Sequence, residues 1–258
     1  MSQNEPSPTP EIQIISVNDL FDALKKGWGD YKKAPLMGLF FSAAYVAGGI
    51  VLYLVLAASG KIWWIMPISV GFPLIAPFAA VGLFEISRQL EANEPLKWGH
   101  VLGVVFAERQ RQIPWVGAII VIWFLFYMLI AHMIFALMLG IRVMTHIGTS
   151  LDVFLTPAGL LFINIELLVG AVFALLLFAI TFVSLPLLLH KEIDFITAII
   201  LSIQSVKKNF AVLIVWFIII GPMMLLSLVP MFLGLLITLP VLGHATWHLY
   251  RKLLLHPA

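Results

Sequence analysis

Long apolar segments bounded by charged residues make up most of the chain after residue 35. A hydrocarbon core about 30 Å thick is crossed by roughly 20 helical residues. Six segments have this length, and each is predicted to form a membrane-spanning helix: Leu36–Ala58, Ile62–Ile86, Trp115–Ile141, Leu161–Leu189, Phe210–Ser227 and Val229–Tyr250. The last two are adjacent, but one helix across both would be about twice as long as the core is thick. The pattern therefore predicts an all-α fold, a polytopic transmembrane helix bundle of about six spans.

A second pattern recurs three times, as a short amphipathic segment with basic residues near its end that runs into an apolar hairpin. The three segments are DLFDALKKGWGDYKKAP, KWGHVLGVVFAERQRQIP and DFITAIILSIQSVKKNF. The first has an apolar stripe at helical spacing, formed by Val17, Leu20, Phe21, Leu24, Trp28 and Tyr31. We predict helices at 17–31, 98–111 and 195–208 that lie along the membrane interface. Three pseudo-repeats of interfacial helix plus hairpin would account for the six spans.

Lys and Arg are distributed unequally between the two sides of this predicted bundle. Of the 15 basic residues, 13 lie on the side that carries both termini, and only Lys61 and Arg142 lie on the other. Because basic residues accumulate in cytoplasmic loops, we predict that the N- and C-termini are both cytoplasmic.

Composition supports a membrane location. Hydrophobic residues make up 62% of the chain and charged residues 11%, whereas soluble domains have about 45–50% apolar and about 25% charged residues. The basic residues occur in small groups between apolar runs, which favours a lipid bilayer over nucleic acid as the partner. The chain has no cysteine, so disulfides and thiolate metal sites are excluded. Residues 1–15 contain several prolines and are predicted to be a disordered tail, followed by a single transmembrane domain over 16–258.

Ionisable residues inside the predicted spans are candidates for a functional site, because each costs roughly 2.5–3.5 kcal/mol to insert at the membrane centre. Glu85, His190 and His244 each follow a proline in the second helix of a unit. These prolines are Pro77, Pro186 and Pro240. If the units are equivalent, the three side chains should converge at one depth and form a polar site for an ion, a proton path or a cofactor. The competing interpretation places them at the interface, where they are solvated or paired with Arg88 and Lys191.

Two further pairs are candidates. His244 and His248 are four residues apart and share a helical face, so they could hold a divalent metal if a third ligand joined them. Interfacial histidines that flank Trp247 are the alternative, and we predict no metal and no cofactor. His132 and Glu166 lie in the outer halves of the third and fourth spans, where they are predicted to form a buried pair. Such a pair could be structural or part of a proton relay.

Three stretches carry a resemblance to a known family: FPLIAPFAAVGLFEISRQLE, VSLPLLLHKEIDFITAIILS and LPVLGHATWHLYR. They resemble the bacterial predicted integral membrane proteins known as domain of unknown function 2189, and the likeness covers nearly the whole chain after the tail. This resemblance implies a bacterial inner membrane location. Some members carry a cytochrome c oxidase label, but the family has no settled activity. The chain departs from the family pattern at His190, where an acidic residue is usual, and at Phe210, where a proline is usual.

Enzyme activity is disfavoured, because the sequence has no phosphate-binding glycine loop, HExxH helix or GxSxG elbow. Three roles remain: a small transporter or channel, a non-catalytic accessory or assembly subunit of a membrane (respiratory) complex, and a haem or metal carrier. A transporter should place Glu85, His190 and His244 around an aqueous cavity. An accessory subunit should fill that space with packed side chains and expose a surface for a membrane-protein partner or a second copy.

Overall fold

The computed structural model describes residues 10–59, 71–140 and 152–255. Its helices are α1 (Val17–Lys33), α2 (Pro35–Ser59), α3 (Gly71–Glu91), α4 (Trp98–Glu108), α5 (Ile113–Leu139), α6 (Pro157–Thr181), α7 (Ser184–His190), α8 (Phe195–Lys208), α9 (Phe210–Leu228) and α10 (Leu235–Leu253). A 3-10 turn at Asp152–Leu155 and two short strands, β1 (Glu11–Ile12) and β2 (Leu254–Leu255), complete the described elements. The predicted all-α transmembrane fold is confirmed.

Four stretches of the described residues are long and apolar enough to cross a membrane: Pro35–Val55, Ile113–Leu139, Pro157–His190 and Phe210–Leu228. The predicted spans at α3 and α10 are more polar, and both are central in the bundle. α3 packs against α1, α2, α4, α5, α7 and α10, and α10 packs against α1, α2, α3, α7 and α9. Neighbouring helices therefore shield the polar residues of α3 and α10 from lipid. The count of six spans stays a prediction, and residues 62–70 of the second predicted span lie outside the described residues.

α9 and α10 are separate helices, as their combined length predicts. The turn between them places Met231 and Phe232 in the left-handed region, with φ of 53° and 66°. The Phe232 ring packs directly on Gly49 of α2, where an added Cβ would lie 2.6 Å from Phe232 Cγ. The turn is therefore fixed against α2 by a contact that only glycine permits.

The fourth predicted span is not one continuous helix. α6 ends at Thr181 and α7 begins at Ser184, because Pro186 has no N–H to donate to the carbonyl of Phe182. The Val183 N–H donates instead to Ser202 Oγ of α8 at 3.1 Å. This break lets α7 pack against α3 and α8.

The three predicted amphipathic segments form helices α1, α4 and α8, but α1 does not use the expected stripe as one face. Its buried residues are Leu20, Ala23, Gly27 and Asp30, and α10 is the helix against which α1 packs most extensively. Val17, Phe21 and Trp28 are exposed. One side of α1 therefore belongs to the bundle core, and an adjacent apolar edge faces outward. The equivalence of the three units stays a prediction.

Residues 10–15 of the predicted tail lie against the rest of the chain, while residues 1–9 lie outside the described residues. β1 pairs antiparallel with β2, and the Ile15 N–H donates to Asn209 Oδ1 at 2.9 Å. These strands lie at the same end of the bundle as α1, α4 and α8. We term it the basic end, because it carries every Lys and Arg of the described residues, and we term the opposite end the outer end.

Candidate functional site

His244 is buried between α10 and α3. Its Nδ1 lies 3.1 Å from the carbonyl oxygen of Leu83 and 2.8 Å from Ser87 Oγ. A carbonyl can only accept, so Nδ1 carries the ring proton. The Ser87 hydroxyl can then donate to Asp30 Oδ2, which lies 2.9 Å away.

Asp30 links this pair to the second histidine of α10. His248 Nε2 lies 2.7 Å from Asp30 Oδ2. Burial alone would raise the pKa of Asp30, but the hydrogen bonds from His248 and Ser87 and the nearby histidine charge hold that pKa below its ordinary value. Asp30, Ser87, His244 and His248, termed the Asp30 cluster, therefore join α1, α3 and α10 around an ionised carboxylate.

The Asp30 cluster has the residue types of a hydrolytic triad but not its arrangement. A serine nucleophile must give its proton to a histidine base. Here the Ser87 hydroxyl donates to Asp30, while the His244 Nδ1–H points at Ser87 and Leu83. Ser87 is also fully buried. The geometry fits a packed structural network and does not activate Ser87.

Glu85 lies in a different set of contacts on α3. Its carboxylate accepts two hydrogen bonds from Arg88, at 2.8 and 2.9 Å, and one from Gln89 Nε2 at 2.7 Å. Arg88 continues to Glu94 at 2.9 Å. Glu85 is 2% exposed, so the pairing with Arg88 expected for an interfacial residue occurs inside the protein. We term Glu85, Arg88, Gln89 and Glu94 the Glu85 cluster.

Glu108 of α4 is a second buried carboxylate. It pairs with Arg111, which also reaches Glu192. Burial raises the pKa of Glu108 above its ordinary value, although the Arg111 charge opposes this effect. Sequence reasoning missed Glu108, because it sits in an amphipathic segment where a charged residue is expected to face water.

His190 lies in a third environment, at the end of α7. Its Nδ1 is 2.8 Å from Tyr250 Oη, and its ring meets Trp247 edge-on with 5.7 Å between ring centroids. Glu85, His190 and His244 therefore each have different partners in the described structure. Their convergence into one site stays a prediction.

His132 and Glu166 lie in the outer halves of α5 and α6. They interact electrostatically, but His132 Nδ1 is hydrogen-bonded to Met128 O at 2.7 Å. Glu166 Oε1 is buried without a hydrogen-bond partner among the described residues. Their buried pairing therefore also stays a prediction.

Metal binding has limited geometric support. Among the described residues, no group of three or more His, Asp or Glu side chains is arranged to hold a metal ion. The two histidines of α10 are directed to different partners, since His248 Nε2 meets Asp30 and His244 Nδ1 meets Ser87.

Comparison with known proteins supports the membrane assignment. No curated protein and no solved structure gives a significant match to the chain. The family model of predicted integral membrane proteins, domain of unknown function 2189, matches residues 65–190. This match includes Glu85, His132, Glu166 and His190, but it is shorter than the near-complete coverage that the sequence resemblance implied. Over residues 65–190 the chain is therefore similar to the integral membrane family called domain of unknown function 2189.

Proposed function

We propose that the protein is a non-catalytic accessory or assembly subunit of a membrane complex, and that it binds a partner membrane protein through the outer halves of α5 and α6. The observation that carries this proposal is the exposure of this hairpin. All buried residues of α5 lie between Ile113 and Ile120, near the basic end. Beyond them, residues such as Ile122, Leu129 and Leu137 are exposed.

The hairpin holds its own shape. Trp123 Nε1 of α5 donates to the carbonyl oxygen of Phe173 in α6 at 3.0 Å, and the rings of Phe135 and Phe162 meet edge-on at 5.2 Å between centroids. Its outward surface is therefore preformed, which lowers the ordering cost of binding a partner.

An exposed polar side chain on this hairpin favours a protein partner over lipid alone. Asn164 is exposed on α6, and its Nδ2 donates to Leu160 O at 2.8 Å within the same helix. Asn side chains on membrane-spanning helices hydrogen-bond across helix interfaces, with a gain of roughly 0.6–2 kcal/mol.

Contacts at the basic end support the same role. The residues that a transporter would place around water are hydrogen-bonded to protein groups: Glu85 to Arg88 and Gln89, and His244 to Ser87 and Leu83. An accessory subunit is expected to have packing of this kind.

Site-specific photocrosslinking in native membranes tests the proposal. A photoreactive residue at Leu168, one turn after Asn164, should crosslink to one defined membrane protein. The same residue at Ile218 of α9, which is similarly exposed, should not. Asn164→Leu should lower the crosslinking yield severalfold without lowering the melting temperature. Identical products from positions 168 and 218 would contradict the proposal.

A small transporter is the second candidate, because several buried polar atoms lack a hydrogen-bond partner among the described residues. Three that lie at the basic end are Gln89 Oε1, Glu108 Oε2 and His244 Nε2. Buried polar groups are nearly always hydrogen-bonded, so each of these atoms calls for a partner that the described residues do not supply, such as water or an ion on a transport path. Proteoliposomes that contain a pH-sensitive dye separate the two roles. A transporter should give proton flux that Glu108→Gln reduces, whereas an accessory subunit should match protein-free vesicles.

A further inference from the structure

An apolar groove of about 460 Å³ opens between α2, α3 and α4. Most of its lining comes from three alanines and two phenylalanines of α2 and one phenylalanine of α3: Ala43, Ala44, Ala47, Phe40, Phe41 and Phe78. The volume lies in the range of roughly 300–1,000 Å³ that is typical of ligand sites. The remaining lining residues, Ala79 and Val105, are also apolar.

Close packing of α2 on α3 builds this groove. A Cβ added at Gly82 would lie 2.2 Å from Phe41 Cζ, so Phe41 occupies the space that a larger residue would take. Beside it, Ala43, Ala44 and Ala47 are exposed and leave a channel along the helix. This part of α2 belongs to the candidate span Pro35–Val55. The groove is therefore at membrane depth, where hydrocarbon chains are the abundant apolar ligand.

The groove approaches positive charge at the basic end. Phe40 at its edge meets Trp98 edge-on, with 5.4 Å between ring centroids. Lys97 directly precedes Trp98, and Lys33 is the last residue of α1, two positions before α2 begins at Pro35. Both lysines are exposed, and among the described residues the ion pairs use other cations: Arg88, Arg111, Arg251, Lys252 and histidines. An anionic group at the interface would complement Lys33 and Lys97.

We propose that this groove is a binding site for an anionic phospholipid, with one acyl chain against Ala43, Ala44 and Ala47 and the phosphate beside Lys33 and Lys97. The apolar lining accounts for the chain, and the two unneutralised lysines account for the selection of a charged headgroup. The site does not depend on the α5–α6 surface proposed for a protein partner.

Native mass spectrometry of the full chain in detergent tests this site, with phosphatidylglycerol and phosphatidylcholine of identical acyl chains as probes. The unaltered protein should retain one more lipid molecule per chain when the probe is phosphatidylglycerol than when it is phosphatidylcholine. Ala44→Phe should fill the groove and abolish the difference, whereas Ala171→Phe, at an exposed alanine of α6, should preserve it. A melting curve for each variant checks that it is folded.

A charge series tests the headgroup contacts independently of the groove. The double change Lys33→Gln and Lys97→Gln should weaken phosphatidylglycerol binding about 25-fold, since each lysine near the surface contributes about fivefold. Lys25→Gln with Lys26→Gln, also exposed at the basic end, should have little effect. Equal retention of both lipids by the unaltered protein would overturn the proposal. The proposal would also be overturned if the unaltered protein forms a dimer, Ala44→Phe dissociates that dimer, and lipid retention stays unchanged.

Discussion

His248 Nε2 of α10 lies 2.7 Å from Asp30 Oδ2 of α1, although 218 positions separate the two residues in the sequence. Ser87 of α3 meets the same carboxylate oxygen at 2.9 Å. A single oxygen atom therefore connects the first helix, a central helix and the last helix. This connection makes α1 part of the bundle core as well as a candidate interfacial helix.

Asp30→Ala should destabilise the protein more than the same change at a neighbouring aspartate. It leaves Ser87 and His248 without their buried acceptor, at a cost of roughly 1–3 kcal/mol. Asp22→Ala is the matched control, because the Asp22 side chain is 65% exposed and surface changes usually stay within about 0.5 kcal/mol. Thermal melts in detergent compare the two. Equal melting temperatures would show that the Asp30 cluster does not hold α1 in place.

Two glycines of α1 provide a test of its packing on α10. A Cβ at Gly27 would lie 2.6 Å from the carbonyl oxygen of Val241 and 2.7 Å from the amide nitrogen of Ala245, whereas a Cβ at Gly29 would meet nothing within 4 Å. Gly27→Ala should therefore destabilise by roughly 1–3 kcal/mol through overpacking. Gly29→Ala should be neutral or stabilise by up to about 1 kcal/mol through helix propensity. Denaturation curves should rank the variants in this order, and the reverse order would contradict the described α1–α10 contact.

The helices of this protein could be predicted from sequence because length and apolar periodicity are local properties. The residues that meet in the Asp30 cluster could not, because their meeting depends on which face of α1 packs on α10. The stripe of Val17, Phe21 and Trp28 looks like the buried face by hydrophobicity. The small residues Ala23 and Gly27 form that face instead, since they allow the closest backbone approach. Asp30 lies on this face at helical spacing from Gly27, and this small-residue pattern is the signal that could have identified it.

Glu85→Ala should lower the melting temperature more than Glu91→Ala. Removing the Glu85 carboxylate leaves Arg88 and Gln89 without a buried partner, which costs roughly 1–3 kcal/mol or more for a charged group. Glu91 accepts a hydrogen bond from Trp247 Nε1 at 3.0 Å and one from Arg251 at 3.3 Å, but its side chain is 40% exposed and water can replace it. Indistinguishable melts would indicate that Glu85 behaves as a solvated interfacial residue.

Acid should weaken the attachment of α1 through Asp19. The hydrogen bond from Lys252, together with those from Ser16, lowers the pKa of Asp19 from 3.8 to about 2. A carboxyl group whose pKa is lower in the folded than in the unfolded protein stabilises the fold at pH values above its unfolded pKa. This stabilisation is lost as the pH falls through the folded pKa. The unaltered protein should therefore lose more stability between pH 5 and pH 2 than Asp19→Asn, which cannot titrate. Parallel pH dependences of the two melting temperatures would contradict this role.

The distribution of basic residues predicts which end of the bundle faces the cytoplasm, and chemical labelling can test it because the chain has no cysteine of its own. Gln110→Cys places a thiol at an exposed position of the basic end. This thiol should react with a membrane-impermeant reagent only after the cells are permeabilised. Ser59→Cys, at the outer end of α2, and Ser150→Cys, which lies outside the described residues, should react in intact cells. Because 13 of the 15 Lys and Arg residues lie on one side, the opposite orientation would reverse the usual cytoplasmic excess of positive charge. Labelling of position 110 in intact cells would therefore reject the predicted topology.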